Sequence, residues 1–189
     1  MSTMDAIAAF FNNQSVGAFL GAFAAFFLVV INDWRRERRK IVTLRAEIEV
    51  NMENARSKLE TVRRNRKAMR EDLKVAPAPI LRFNTTFTRQ IASEVLHHPT
   101  IDQRIAVEAL TYTMEAIDEL LAETLALSQK FMRPMGQADR QSTTEHLLSN
   151  FADSVSNLRR LIEQCQSYID GDFRRIIAKQ YDPRDYEEA

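Results

Sequence analysis

Between residues 6 and 32 the chain carries no charged side chain, and residues 16–31 (VGAFLGAFAAFFLVVI) are apolar apart from their glycines. A run of this kind has few ways to fold. As a helix, residues 16–31 extend about 24 Å and residues 10–31 about 33 Å, which brackets the roughly 30 Å hydrocarbon core of a bilayer. A buried helix of a soluble domain of this length normally keeps a polar face, and this segment has none. The expectation is a transmembrane helix over about 10–31. A cleaved signal peptide fits less well, because no basic region precedes the run and the run is long.

The residues after the run fix an orientation. Trp34 is followed by Arg35, Arg36, Glu37, Arg38, Arg39 and Lys40, whereas Asp5 is the only charged side chain before the run. Basic residues stay on the cytoplasmic side, so the N-terminus is expected outside and the rest of the chain in the cytoplasm. Trp34 suits the headgroup level, and Arg35, Arg36, Arg38, Arg39 and Lys40 suit an anionic lipid surface. Within the span, Gly17 and Gly21 form a GxxxG that Ala25 continues, and Phe19, Phe23 and Phe27 repeat at the same spacing on a roughly opposite face. A small-residue stripe lets two helices approach closely, so self-association, or binding of another membrane protein, is expected through Gly17, Gly21 and Ala25.

After Gly21 there is no glycine or proline until Pro77, so the span is expected to continue as a stalk helix. Ile41, Ile48, Ala55, Val62 and Met69 recur every seven residues, and Leu44, Met52, Leu59 and Leu73 form a companion stripe that Arg66 interrupts. That narrow seam suits a bundle helix or a coiled coil. Pro77 and Pro79 end the stalk. A short helix is expected over 86–97, with Phe87, Ile91 and Val95 on one side. A longer one over 100–131 is capped by Thr100 and Gln103 and carries Val107, Leu110, Met114, Ile117 and Leu121. A third starts at a Ser142/Glu145 capping box and holds a seam of Leu148, Phe151, Val155, Leu158, Ile162, Cys165 and Ile169. Gly171 is expected to kink or fray its end, and residues 181–189 read as an acidic tail.

The fold class is therefore all-α. It comprises one N-terminal transmembrane helix continuing into a long stalk and an elongated cytoplasmic bundle of three antiparallel helices plus one short helix. The boundaries are 1–33 for the N-terminal segment and span, 34–75 for the basic stalk, 76–180 for the helical cytoplasmic region and 181–189 for the tail. A stalk that dimerises as a parallel coiled coil is the alternative. With 189 residues, two independent cores do not fit, and a single cysteine leaves no internal disulfide.

Neutrality overall hides a division. Lys plus Arg and Asp plus Glu are each 26, but residues 34–75 carry +7 while residues 76–133 and 134–189 carry −2 and −3. Part of the stalk charge lies in Arg63, Arg64, Arg66, Lys67 and Arg70, a charged surface for a partner. It lies roughly 48 Å beyond the span along a straight helix, too far for lipid contact. The cluster has no interleaved aromatics, which disfavours nucleic acid, and a solvated face, or pairing with the acidic helices of the same chain, is the expected reading. Asp118, Glu119 and Glu123 read as a solvated acidic face.

No constellation for catalysis is visible. His97 and His98 are adjacent, not four apart, and lack carboxylate or cysteine partners at metal-binding spacing. Cys165 lies in a helix seam, where an inert buried thiol is expected. There is no glycine-rich phosphate loop and no Glu-x-x-His pair. The expectation is a chain that is not an enzyme, holds no metal or cofactor and takes no small-molecule substrate.

The run Val29-Val30-Ile31-Asn32-Asp33-Trp34-Arg35-Arg36-Glu37-Arg38, followed by Leu44, Glu47, Ile48 and Asn51, resembles a group of uncharacterised bacterial single-pass proteins. In these an apolar span ends in an Asn-Asn/Asp-Trp element, then Glu and Arg, then a long helix. The segment 86–96 and Tyr112 are similar too. The resemblance implies a bacterial inner-membrane protein with a helical cytoplasmic part, and no reaction or site residues. A membrane-anchored scaffold, sensor or accessory subunit is the leading functional expectation. The alternative is a membrane effector, a toxin or anti-phage protein whose span oligomerises into a pore or disrupts the bilayer.

Overall fold

The computed structural model describes residues 14–71, 81–94, 100–134 and 136–180. These form five helices: α1 (Gln14–Glu71), α2 (Thr85–Glu94), α3 (Ile101–Phe131), α4 (Gln137–Asp170) and α5 (Phe173–Gln180). No strand occurs among the described residues. The apolar run and the stalk belong to one uninterrupted helix of 58 residues, in keeping with the lack of glycine and proline between Gly21 and its end. The chain divides into two compact units, one ending at Val42 and the other beginning at Thr43.

In the first unit, every described side chain from residue 17 to residue 36 is exposed. The second unit holds the core. From α1 it takes Leu44, Ile48, Met52, Ala55, Leu59, Val62 and Met69, which are the two stripes expected for the stalk among the described residues. Ile41 is half-buried, and Leu73 lies outside those residues. From α3 come Val107, Leu110, Met114, Ile117 and Leu121, and from α4 Leu147, Phe151, Leu158, Leu161 and Cys165. Buried hydroxyls do not interrupt this core, because Thr111, Thr124, Ser128, Thr143 and Ser154 each donate to the carbonyl four residues earlier.

Two pairs of contacts set the direction of each neighbour. The Arg140 guanidinium lies 4.9 Å from the Phe131 ring centre, and Gln103 Nε2 donates to the Tyr168 hydroxyl at 3.0 Å, so α3 and α4 run antiparallel. The stalk does not follow that rule. Leu44 shares a cavity wall with Val107 and Thr111, and Lys58 reaches Asp118, so α1 and α3 advance in the same direction. The cause is the return leg. Phe83 is back at the level of Lys58 and Asp118, and α2 then runs down the stalk, with Thr88 against Asn51 and Ala92 near Leu44. A bundle with every neighbour antiparallel is thereby corrected for this pair.

Several local expectations also change. Thr100 caps α3 by accepting from the Gln103 N–H at 3.2 Å, but the Gln103 side chain goes to Tyr168 and leaves the capping box half made. α4 begins at Gln137, six residues before the expected start. Gly136 is its N-cap, and Glu145 accepts from Gln141 along the helix in place of capping. In α2 the buried side is Thr88 and Ile91, Phe87 is exposed, and Val95 lies outside the described residues. The buried face of α4 is centred on Leu147, Ser154, Leu161 and Tyr168, with Leu148, Ile162 and Ile169 at its edge, because α4 packs on both α3 and α5.

Gly171 ends α4 cleanly. Its φ of 81° is left-handed, its N–H bonds the Tyr168 carbonyl at 3.1 Å, and the Asp172 N–H bonds the Ser167 carbonyl at 2.8 Å. This Schellman reversal turns the chain into α5, which lays Phe173 edge-on to Tyr168 and buries Ile176.

Candidate functional site

The first candidate surface is the apolar part of α1. A Cβ placed on Gly17 or Gly21 meets nothing within 4 Å, and Ala25 one turn further on is exposed, so the small stripe is open. On another side the Phe19 and Phe23 rings stack at 6.4 Å, and Phe23 and Phe27 lie at 5.4 Å. Residues four apart meet on a helix, and this aromatic ridge is the direct result of that spacing. Where the apolar run ends, the Arg38 guanidinium sits over the Trp34 ring at 4.0 Å, while Arg35 and Arg36 are exposed. This joins an aromatic ring and a cation in one element at the end of the apolar run.

The second candidate is the basic cluster on the stalk. Arg63, Arg64, Lys67 and Arg70 are exposed, and Arg66 is half-buried. Lys67 pairs with Glu71 on its own helix at 3.7 Å. Among the described residues no ion pair joins Arg63, Arg64, Arg66 or Arg70 to the acidic helices, so of the two expected readings the cluster follows the solvated face and not the intramolecular pairing. Helical periodicity explains why. Val62, Asn65 and Met69 take the inward positions, which turns Arg63, Arg64 and Arg70 outward.

The chain does join its basic stalk to an acidic helix, but through a residue outside the cluster. Lys58 Nζ lies 3.5 Å from Asp118 Oδ1, with the two side chains only 9% and 12% exposed. Asp118 Oδ2 accepts the Phe83 N–H at 2.6 Å, and the Lys58 ammonium sits 4.3 Å from the Phe83 ring centre. Removal from water pushes the Lys58 pKa down and the Asp118 pKa up, against the pull of each charge on the other. Asp118 therefore belongs to the interior, and the acidic patch with Glu119 and Glu123 is not one solvated face. Around this node Asn51 Nδ2 donates to Thr88 Oγ1 at 3.2 Å, and Arg89 pairs with Glu115 at 2.6 Å.

A cavity of about 360 Å³ opens between α1, α2 and α3, with Leu44, Ala92 and Val107 as apolar wall and Arg104, Glu108 and Tyr112 around it. Among the described residues no group of three metal-ligating side chains forms. His146 is exposed, and His97 and His98 lie outside those residues. Cys165 is buried, which pushes its thiol up to about 12 and leaves almost no thiolate at neutral pH.

Asn51, Lys58 and Asn65 are the inward-facing residues that a search for apolar positions passes over. Their signal was their spacing: they fall seven apart, in the gaps of the Ile48, Ala55, Val62 and Met69 repeat. Compared with known proteins, the chain matches no protein-family model, no curated protein and no solved structure.

Proposed function

We propose that the chain is a single-pass membrane protein that acts by assembly, as a scaffold, sensor or accessory subunit holding a helical bundle at the cytoplasmic face. The observation that carries this reading is the change of character along α1. Its apolar 18-residue window is long enough to cross a bilayer and has no residue buried in the chain, whereas from Leu44 onward the same helix buries one periodic face. The stalk part of α1 with α3 and α4 then forms the elongated bundle, with α2 and α5 packed at its sides. Arg35, Arg36, Arg38, Arg39 and Lys40 argue for an outside N-terminus, and the resemblance to bacterial single-pass proteins argues for an inner membrane. The open Gly17, Gly21 and Ala25 stripe is the contact for a second copy or another membrane protein, and the exposed Arg63, Arg64, Lys67 and Arg70 are the contact for an acidic partner.

Reporter fusions at the C-terminus test the orientation. A fluorescent protein that matures only in the cytoplasm glows, and alkaline phosphatase at the same site stays inactive. Active phosphatase reverses the topology and removes the bundle from the cytoplasm.

The second reading, a membrane effector, is favoured by the same open glycines beside a stacked phenylalanine ridge. Overexpression that depolarises cells, and ceases to do so when Gly21 is made bulky, selects it over the scaffold.

A further inference from the structure

The inward face of the stalk interleaves two heptad sets, with Met52 and Leu59 buried beside them. Ile48, Ala55, Val62 and Met69 are all apolar, while Leu44, Asn51, Lys58 and Asn65 occupy the alternate heptad position, and every one of the eight is buried. Three consecutive polar residues in one half of a seam are costly unless each meets a specific partner. The partners seen lie in the same chain. Asn51 binds Thr88, and Lys58 binds Asp118 under the Phe83 ring.

A second copy of the stalk offers neither partner. In a parallel pair in register, Lys58 faces Lys58. In an antiparallel pair centred on this seam, Lys58 again faces Lys58, and Asn51 faces Asn65. Like charges opposed in a desolvated seam disfavour both pairings, and single polar residues at such positions are known to set register and partner. We propose that Asn51, Lys58 and Asn65 are a partner-selection device. They close the stalk onto α2 and α3 of its own chain and exclude the coiled-coil dimer that the apolar heptads alone would form. Any self-association is thereby left to the apolar part of α1. This last step rests on the membrane reading above; the exclusion of a second stalk does not.

The test uses the full chain in nanodiscs and in detergent, with Cys165→Ala and a single cysteine at Glu53 or Glu60, crosslinked by a short bismaleimide. The chain with its natural seam gives little crosslinked dimer at either position. Asn51→Ile, Lys58→Leu and Asn65→Leu together raise the dimer at least tenfold, with helix content retained by circular dichroism. If the triple variant loses its helix, Lys58→Met alone is read instead and is expected to raise the dimer in the same direction. Strong crosslinking with the natural seam, or a folded variant with no increase, overturns the proposal. Membrane sedimentation of the same samples reports separately on the anchoring reading.

Discussion

Replacing Asp118 by alanine destabilises the helical region beyond residue 43 by about 3 to 5 kcal/mol, the usual cost of removing one partner of a buried ion pair. The variant leaves the buried Lys58 ammonium beside the Phe83 ring without its carboxylate. It also takes away the acceptor of the Phe83 N–H, and with it the pin that brings the return leg back to the stalk. The directions of the two pKa shifts show that desolvation opposes both charges, so the pair adds little net stability although breaking it is expensive. Hence Lys58→Met with Asp118→Leu recovers the part due to the stranded Lys58 charge and stays below the natural chain by about 1 to 3 kcal/mol, the cost of the Phe83 N–H left without its acceptor. Urea denaturation in mild detergent, followed by far-ultraviolet circular dichroism, measures both. A single variant as mild as the double one contradicts a buried pair.

The other large effect is on anchoring. Phe23 and Phe26 lie near the middle of the apolar run and point only outward from the chain. Arginine at mid-span costs about 2.5 to 3.5 kcal/mol on insertion scales, where phenylalanine is favourable. Phe23→Arg with Phe26→Arg therefore shifts insertion by about 6 kcal/mol, enough to abolish it. The natural chain is expected to stay with membranes through an alkaline carbonate wash and the double variant to be lost from them. Retention of the variant would show that the run is held by protein contacts and not by lipid.

Sequence periodicity shows most of this architecture because the two parts of α1 follow different grammars. A bilayer asks only for apolar length, which residues 16–31 display openly. A bundle asks for a seam, which Ile48, Ala55, Val62 and Met69 display every seven residues. Direction was less legible. Whether the stalk and α3 run the same way depends on the level at which Phe83 stands and the direction in which α2 runs, and no local pattern encodes either. The polar residues of the seam were legible only in spacing. Asn51, Lys58 and Asn65 look like surface residues until Thr88, Asp118 and Phe83, all distant in sequence, are placed against two of them. The basic cluster left two readings open for the converse reason: Arg63, Arg64 and Arg70 have the right charge to pair with acidic helices, but their angular position turns them to solvent. The start of α4 was misplaced because Ser142 and Glu145 match a capping box, although residues 137–142 can themselves continue the helix.

A cysteine scan along α1 in nanodiscs tests the account most directly. Single cysteines at residues 18–30 and 43–70, in a Cys165→Ala background, are probed with a water-soluble maleimide. The expected profile is flat and unreactive through 18–30 on every side of the helix, because lipid covers all faces. From 43 onward it turns periodic, with protection at 44, 48, 51, 52, 55, 58, 59, 62, 65 and 69. A reactive face within 18–30, or a stalk without that repeat, contradicts a helix that crosses a membrane and then packs into its own bundle.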